Sequence, residues 1–80
     1  MAIEKILAMM PGVFYRKPSP DEPNFINEGD AIKKGDVIGL IEVMKTFHPV
    51  ASNYSGTLTS FKVEESDAIA PGAVLALIET

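Results

Sequence analysis

The sequence predicts an all-β domain: a flattened β-barrel or sandwich of two pseudo-symmetric halves, with one loop projecting from it. Three observations carry that prediction. Short apolar runs alternate with turn signals, and nowhere do apolar residues keep a helical period for three full turns. A unit also recurs, because Glu28 to Glu42 aligns with Glu65 to Glu79 at a constant offset of 37, with nine of fifteen pairs identical. Gly12 matches Gly56 upstream of the two copies, but it lies 16 residues before Glu28 whereas Gly56 lies 9 before Glu65. The first half therefore holds an insertion of about seven residues. Two similar halves of short strands, closed on each other, hide the strand edges that an open sheet would leave exposed.

In chain order, Ile6 to Met10 is a first apolar run, stopped by Pro11-Gly12, and Val13-Phe14-Tyr15-Arg16 resumes in β-prone residues. Lys17 to Asn24 holds three prolines in six residues, which forbids a central strand or a helix interior and makes a stiff loop. Phe25-Ile26-Asn27 is apolar again. Glu28-Gly29-Asp30 and Lys33-Lys34-Gly35-Asp36 then supply turns around Ala31-Ile32. Val37 to Ile41 forms a strand, Phe47 to Ala51 another, and Asn53-Tyr54-Ser55-Gly56 a turn before the strand Thr57 to Val63. The second copy of the repeat closes the chain.

Eighty residues form one small domain, residues 1–80, with the insertion at about 18–25. The absence of cysteine excludes disulfides, thiol nucleophiles and thiolate metal sites. A net charge of −4 and an isoelectric point near 4.8 argue against nucleic acid or an anionic membrane as partner. No apolar run is long enough to span a bilayer, and Met1 to Lys5 lacks the pattern of an export signal, so a cytoplasmic location is expected. A monomer in isolation is expected too.

Function is expected at Ile41 to Phe47. Two extended segments flank Met44-Lys45, which makes this pair the corner of a β-hairpin. The favoured two-residue turns need positive φ at both central positions and so select Asn-Gly or Asp-Gly. Met and Lys do not answer that need. A broken turn rule without evident packing gain marks a functional or strained site. An amine on a four-carbon stem beside a soft thioether, held away from the core, suits modification by another enzyme. The bland alternative is an ordinary tip with a solvated lysine. His48, without a cysteine or second histidine, reads as a flank of the tip. Glu64, Glu65 and Asp67 read as a solvated turn, so no catalytic residue and no metal site are expected.

Glu42-Val43-Met44-Lys45 resembles the attachment motif of biotinyl domains, usually Glu-Ala-Met-Lys-Met. Pro11 to Arg16, Pro18-Ser19-Pro20-Asp21 and Phe25-Ile26 resemble the biotin carboxyl carrier proteins of acetyl-CoA carboxylase, including their protruding thumb. The similarity covers essentially the whole chain. It implies the biotinyl/lipoyl (barrel-sandwich hybrid) fold, with biotin held covalently on Lys45 and Glu42, Val43, Met44 and Thr46 forming its attachment site. The thumb would comprise Pro18, Ser19, Pro20, Asp21, Glu22, Pro23, Asn24 and Phe25. The implied role is that of a non-catalytic carrier, which shuttles a carboxyl group from a biotin carboxylase to a carboxyltransferase in fatty acid synthesis after loading by a biotin protein ligase. Val43 and Thr46 depart from the usual motif, where alanine and methionine stand. Alternatives are a carrier for another biotin-dependent carboxylase, a lipoyl carrier, whose lysine normally sits in an Asp-Lys-Ala context, or an unmodified interaction module.

Overall fold

A computed structural model describes residues 2–80. They form eight strands, β1 (Ile3–Leu7), β2 (Gly12–Tyr15), β3 (Ala31–Ile32), β4 (Val37–Val43), β5 (Thr46–Ala51), β6 (Gly56–Phe61), β7 (Asp67–Ile69) and β8 (Val74–Glu79). These build two four-stranded antiparallel sheets, in the orders β1-β8-β6-β3 and β5-β4-β2-β7. Exchanging β1 with β5, β8 with β4, β6 with β2 and β3 with β7 turns one sheet into the other.

The sequence repeat is therefore the symmetry of the fold, and it holds to the residue. Gly12 lies opposite Ile69 and Val13 opposite Ala68, while Gly56 lies opposite Ile32 and Thr57 opposite Ala31. The same left-handed turns recur, at Gly35 (φ 96°) and Gly72 (φ 86°), and at Gly29 (φ 92°) and Ser66 (φ 68°). At the last position serine occupies a backbone region that favours glycine. The carboxylates of Asp30 and Asp67 each accept a hydrogen bond from the backbone N–H three residues earlier, at 3.0 and 2.8 Å.

Alternation along the strands sends one face of each sheet inward. Ile32, Ile38, Leu58 and Ile78 meet in one core cluster with Ile6, Ile26 and Ala76. Their symmetry mates Ile69, Leu75, Phe14 and Ile41 meet in a second with Ala8. Each cluster draws on both sheets, so neither sheet has a finished core alone. Burying each of the fully enclosed side chains Phe14, Ile38, Leu58, Leu75 and Ile78 contributes about 1.5–3 kcal/mol.

The first strand starts at Ile3, earlier than the apolar run at Ile6 suggests, and ends at Leu7. Its partner sets those bounds, since Ile3 lies opposite Glu79 and Leu7 opposite Val74 along β8. Ala8, just past the strand, stays buried and still exchanges backbone hydrogen bonds with Ala73 and Gly72, both at 2.8 Å.

Candidate functional site

Val43 pairs with Thr46 across the end of the β4–β5 ladder, which leaves Met44 and Lys45 as a two-residue turn. Both have positive φ, 50° and 65°, as the tight turn that matches strand twist demands. Each such non-glycine residue costs about 1–2 kcal/mol, and neither side chain recovers it by packing. Met44 is 92% exposed, and Lys45 is exposed too. The corner is thus a strained tip that presents an amine to solvent.

The flanks of the corner are anchored. Val43 is half-buried and packs against the second core cluster, so its bulk serves the scaffold, not the tip. The Glu42 carboxylate accepts a 2.9 Å hydrogen bond from the Tyr15 hydroxyl on β2. That bond, helped by partial burial and by the negative charges of Glu42 and Glu65, raises the Tyr15 pKa above its ordinary 10.0. The Tyr15 ring stands 6.1 Å from that of Phe47, which is 53% exposed just beyond the corner. Thr46 is exposed.

Beside these residues the proline-rich loop closes on itself at its root. The Phe25 N–H donates to the Arg16 carbonyl at 2.9 Å, so the projecting element runs from Arg16 to Phe25, two residues longer at its start than the prolines indicate. A turn within it joins the Glu22 N–H to the Ser19 carbonyl at 3.1 Å. Between loop root and hairpin lies an open cleft of about 650 Å³ lined by Tyr15, Lys17, Pro18, Ser19, Pro20, Glu42, Phe47, Glu65 and Ser66.

Of the residues expected to act together, the structure brings Pro18, Ser19 and Pro20 to the cleft with Glu42. Asn24 instead donates its side-chain amide to Asn27 at 3.0 Å. Phe25 borders a separate hollow with Ile26, Asp30, Ala31, Asp36 and Val37. The loop turns at Ser19–Glu22 and returns to its root at Phe25, and Asp21 to Phe25 are not among the residues that line the cleft. His48 is half-buried on β5, opposite Ile41, and not simply a flank of the tip.

The solvated turn that the sequence suggests is present, with Glu64 and Glu65 exposed, and Glu65 and Asp67 also brace the backbone there. Their carboxylates accept backbone hydrogen bonds from Arg16 (2.6 Å) and Glu64 (2.8 Å). The sequence assigns no role of its own at the site to Tyr15, or to Phe47 beyond its place at the end of the stretch Ile41 to Phe47. The available signal is that each is an aromatic in a strand, within a stretch the sequence singles out, but their meeting needs β2 and β5 on the two sides of β4. Among the described residues, no group of three or more His, Asp or Glu side chains is placed to hold a metal ion. No helix there is long and apolar enough to cross a membrane.

Residues 4–78 match the family model described as "Biotin-requiring enzyme". The chain is 37% identical over 70 residues to a chloroplastic biotin carboxyl carrier protein of acetyl-CoA carboxylase from Glycine max, covering 88% of this chain and 27% of that protein. It is 38% identical over 68 residues to the corresponding Streptococcus pyogenes protein, covering 85% of this chain and 41% of the relative. For the Pseudomonas aeruginosa protein the identity is 38% over 60 residues, or 75% and 38% of the two chains. The chain thus spans less than half the length of these relatives. The fold is similar to part of Kluyveromyces lactis urea carboxylase, with a TM-score of 0.79 and 24% identity over 99% of this chain and 6% of that one.

Proposed function

The chain belongs to the biotin-requiring enzyme family, and from that premise we propose that it is a biotin carboxyl carrier domain with biotin in amide linkage to Lys45. The observation that carries the reading is the corner itself: an exposed amine at the apex of a hairpin whose two central residues both hold left-handed backbone. Such a turn favours Asn-Gly, so Met-Lys there costs stability and points to a use outside folding.

The residues fit the cofactor. A lysine stem supplies length and rotation, and a nearby cleft offers the Tyr15 and Phe47 rings, the faces of Pro18 and Pro20, and polar atoms of Ser19 and Glu42. Bound biotin supplies a ureido nitrogen that takes up and releases a carboxyl group. The chain's own work is to hold, present and shelter it. Lys45 tethers, which raises the effective concentration of the cargo at each partner site. The Tyr15–Glu42 hydrogen bond keeps the strand before the tether in place. Because the relatives are carriers of acetyl-CoA carboxylase, acetyl-CoA is the acceptor we assign, with a biotin carboxylase and a carboxyltransferase as successive partners and a biotin protein ligase as the loading enzyme. The domain is assigned as a cytoplasmic monomer when separate from those partners.

Intact-mass measurement after co-expression with a biotin protein ligase tests this. The expected result is one biotin adduct on the chain and none on Lys45→Arg, which keeps the charge but resists acylation. Streptavidin capture of Lys45→Arg would move the site, and a lipoyl-sized adduct or none on the unaltered chain would end the biotin reading.

A further inference from the structure

We propose that Glu65, from the second repeat, is a positioning residue that fixes the root of the Arg16–Phe25 loop and thereby the place the biotinyl group takes up. The proposal rests on the carrier reading above. Three contacts at the root of this loop converge on Arg16, and Glu65 makes one of them. The Arg16 N–H donates to Glu65 Oε1 at 2.6 Å, a charge-assisted contact across 49 positions of sequence. The Arg16 carbonyl accepts from Phe25 at 2.9 Å and so closes the loop. The Arg16 guanidinium sits over the Phe61 ring, 4.1 Å from its centroid. Glu65 and the next residue, Ser66, also line the cleft, and the Ser66 N–H donates to the Phe14 carbonyl at 2.8 Å.

The symmetry of the fold shows what this glutamate does when no long loop follows. Glu28, its mate in the first repeat, accepts from the Phe61 N–H at 2.9 Å, and the Gly29 N–H donates to the Leu58 carbonyl at 2.7 Å. One device pins two strand ends. At β6 the chain continues through a short connection to β7, so the device only ends a strand. At β2 the same bond holds the residue from which the insertion springs, and Tyr15 beside it reaches Glu42 near the tether. A scaffold contact has become the hinge pin of the thumb.

The symmetry also supplies an internal control. In the unmodified chain, Glu65→Ala should speed amide exchange at Phe25 by about three- to tenfold, whereas Glu65→Gln, which keeps an acceptor oxygen, and Glu28→Ala should leave Phe25 near the original rate. In the biotinylated protein, spin relaxation of isotope-labelled biotin should report a more mobile ring for Glu65→Ala alone. Should Glu65→Ala not fold, Glu65→Asp, one methylene shorter, makes the same comparison. Unchanged Phe25 exchange, or equal loosening in Glu28→Ala, overturns the clamp. Faster exchange with unchanged biotin motion overturns the positioning role. Absence of any biotin adduct on the unaltered chain is a separate result, which sinks the carrier reading and leaves the exchange comparison standing.

Discussion

The two halves of this domain are built to one plan and differ mainly in two places. After β6 the chain crosses to β7 in five residues, Lys62 to Ser66, whereas after β2 it first makes the closed Arg16–Phe25 loop. Between β4 and β5 it turns through Met44-Lys45, whereas the equivalent place between β8 and β1 is occupied by Thr80 and Ala2, side by side, with the Thr80 N–H donating to the Ala2 carbonyl at 2.9 Å. Both features peculiar to the first half border one cleft, the loop through Lys17 to Pro20 and the corner through its flanks Glu42 and Phe47. What the halves share is what packing requires. What they do not share has gathered around one cleft beside the corner.

A third difference lies inside, and it offers the strongest way to break the comparison. Phe14 and Gly39 in the first half correspond to Leu58 and Ala76 in the second, a large-small pair against a medium-medium one. A Cβ on Gly39 would stand 2.5 Å from the Phe14 ring and 2.7 Å from the Tyr15 carbonyl oxygen. Gly39→Ala should therefore destabilise by about 1–3 kcal/mol in urea unfolding. Combining it with Phe14→Leu should cost less than the two single changes summed, with recovery incomplete because the Tyr15 carbonyl remains. Strict additivity would show that the halves are not alternative packings of one core.

The corner gives the next effect, of opposite sign. Met44→Asn keeps Lys45 while placing a residue tolerant of left-handed backbone at the first turn position. It should raise stability by about 0.5–1 kcal/mol, visible as a higher denaturation midpoint with unchanged slope. A loss of stability would mean that Met44 contributes packing which its 92% exposure denies.

Removing Pro18 to Asn24 and rejoining the ends through a short glycine turn makes the first half resemble the second. Shortening a surface loop changes closure entropy by under about 1 kcal/mol. The shortened chain should keep one cooperative unfolding transition and still accept biotin, with altered carboxyl transfer. Unfolding under conditions where the full chain is stable would make the loop part of the core.

The finest effect is electrostatic. The Tyr15 pKa is raised because the neutral phenol donates to Glu42, so this contribution to stability is fully present below pH 10.0 and fades as pH climbs through the raised value. Glu42→Gln should move the Tyr15 titration, followed by its phenolate absorbance, back toward the ordinary range. An unmoved titration would leave the two residues uncoupled.

By itself the sequence determined the strand content, the duplication with its offset of 37, the place of the insertion and the corner at Met44-Lys45. Each of these is written in neighbouring residues: alternation, glycine at left-handed turns, prolines that bar a central strand. The tertiary structure alone decided which acids are structural, because Glu65 and Glu28 differ from solvated glutamates only by the backbone N–H that another strand brings to them. It likewise decided that Tyr15 and Phe47 flank Glu42, that the loop closes at Arg16, and that β1 begins at Ile3. Those are contacts between residues from 9 to 76 positions apart in the chain. Local propensity carries no record of them, since they come into being only when two incomplete sheets close over a shared core.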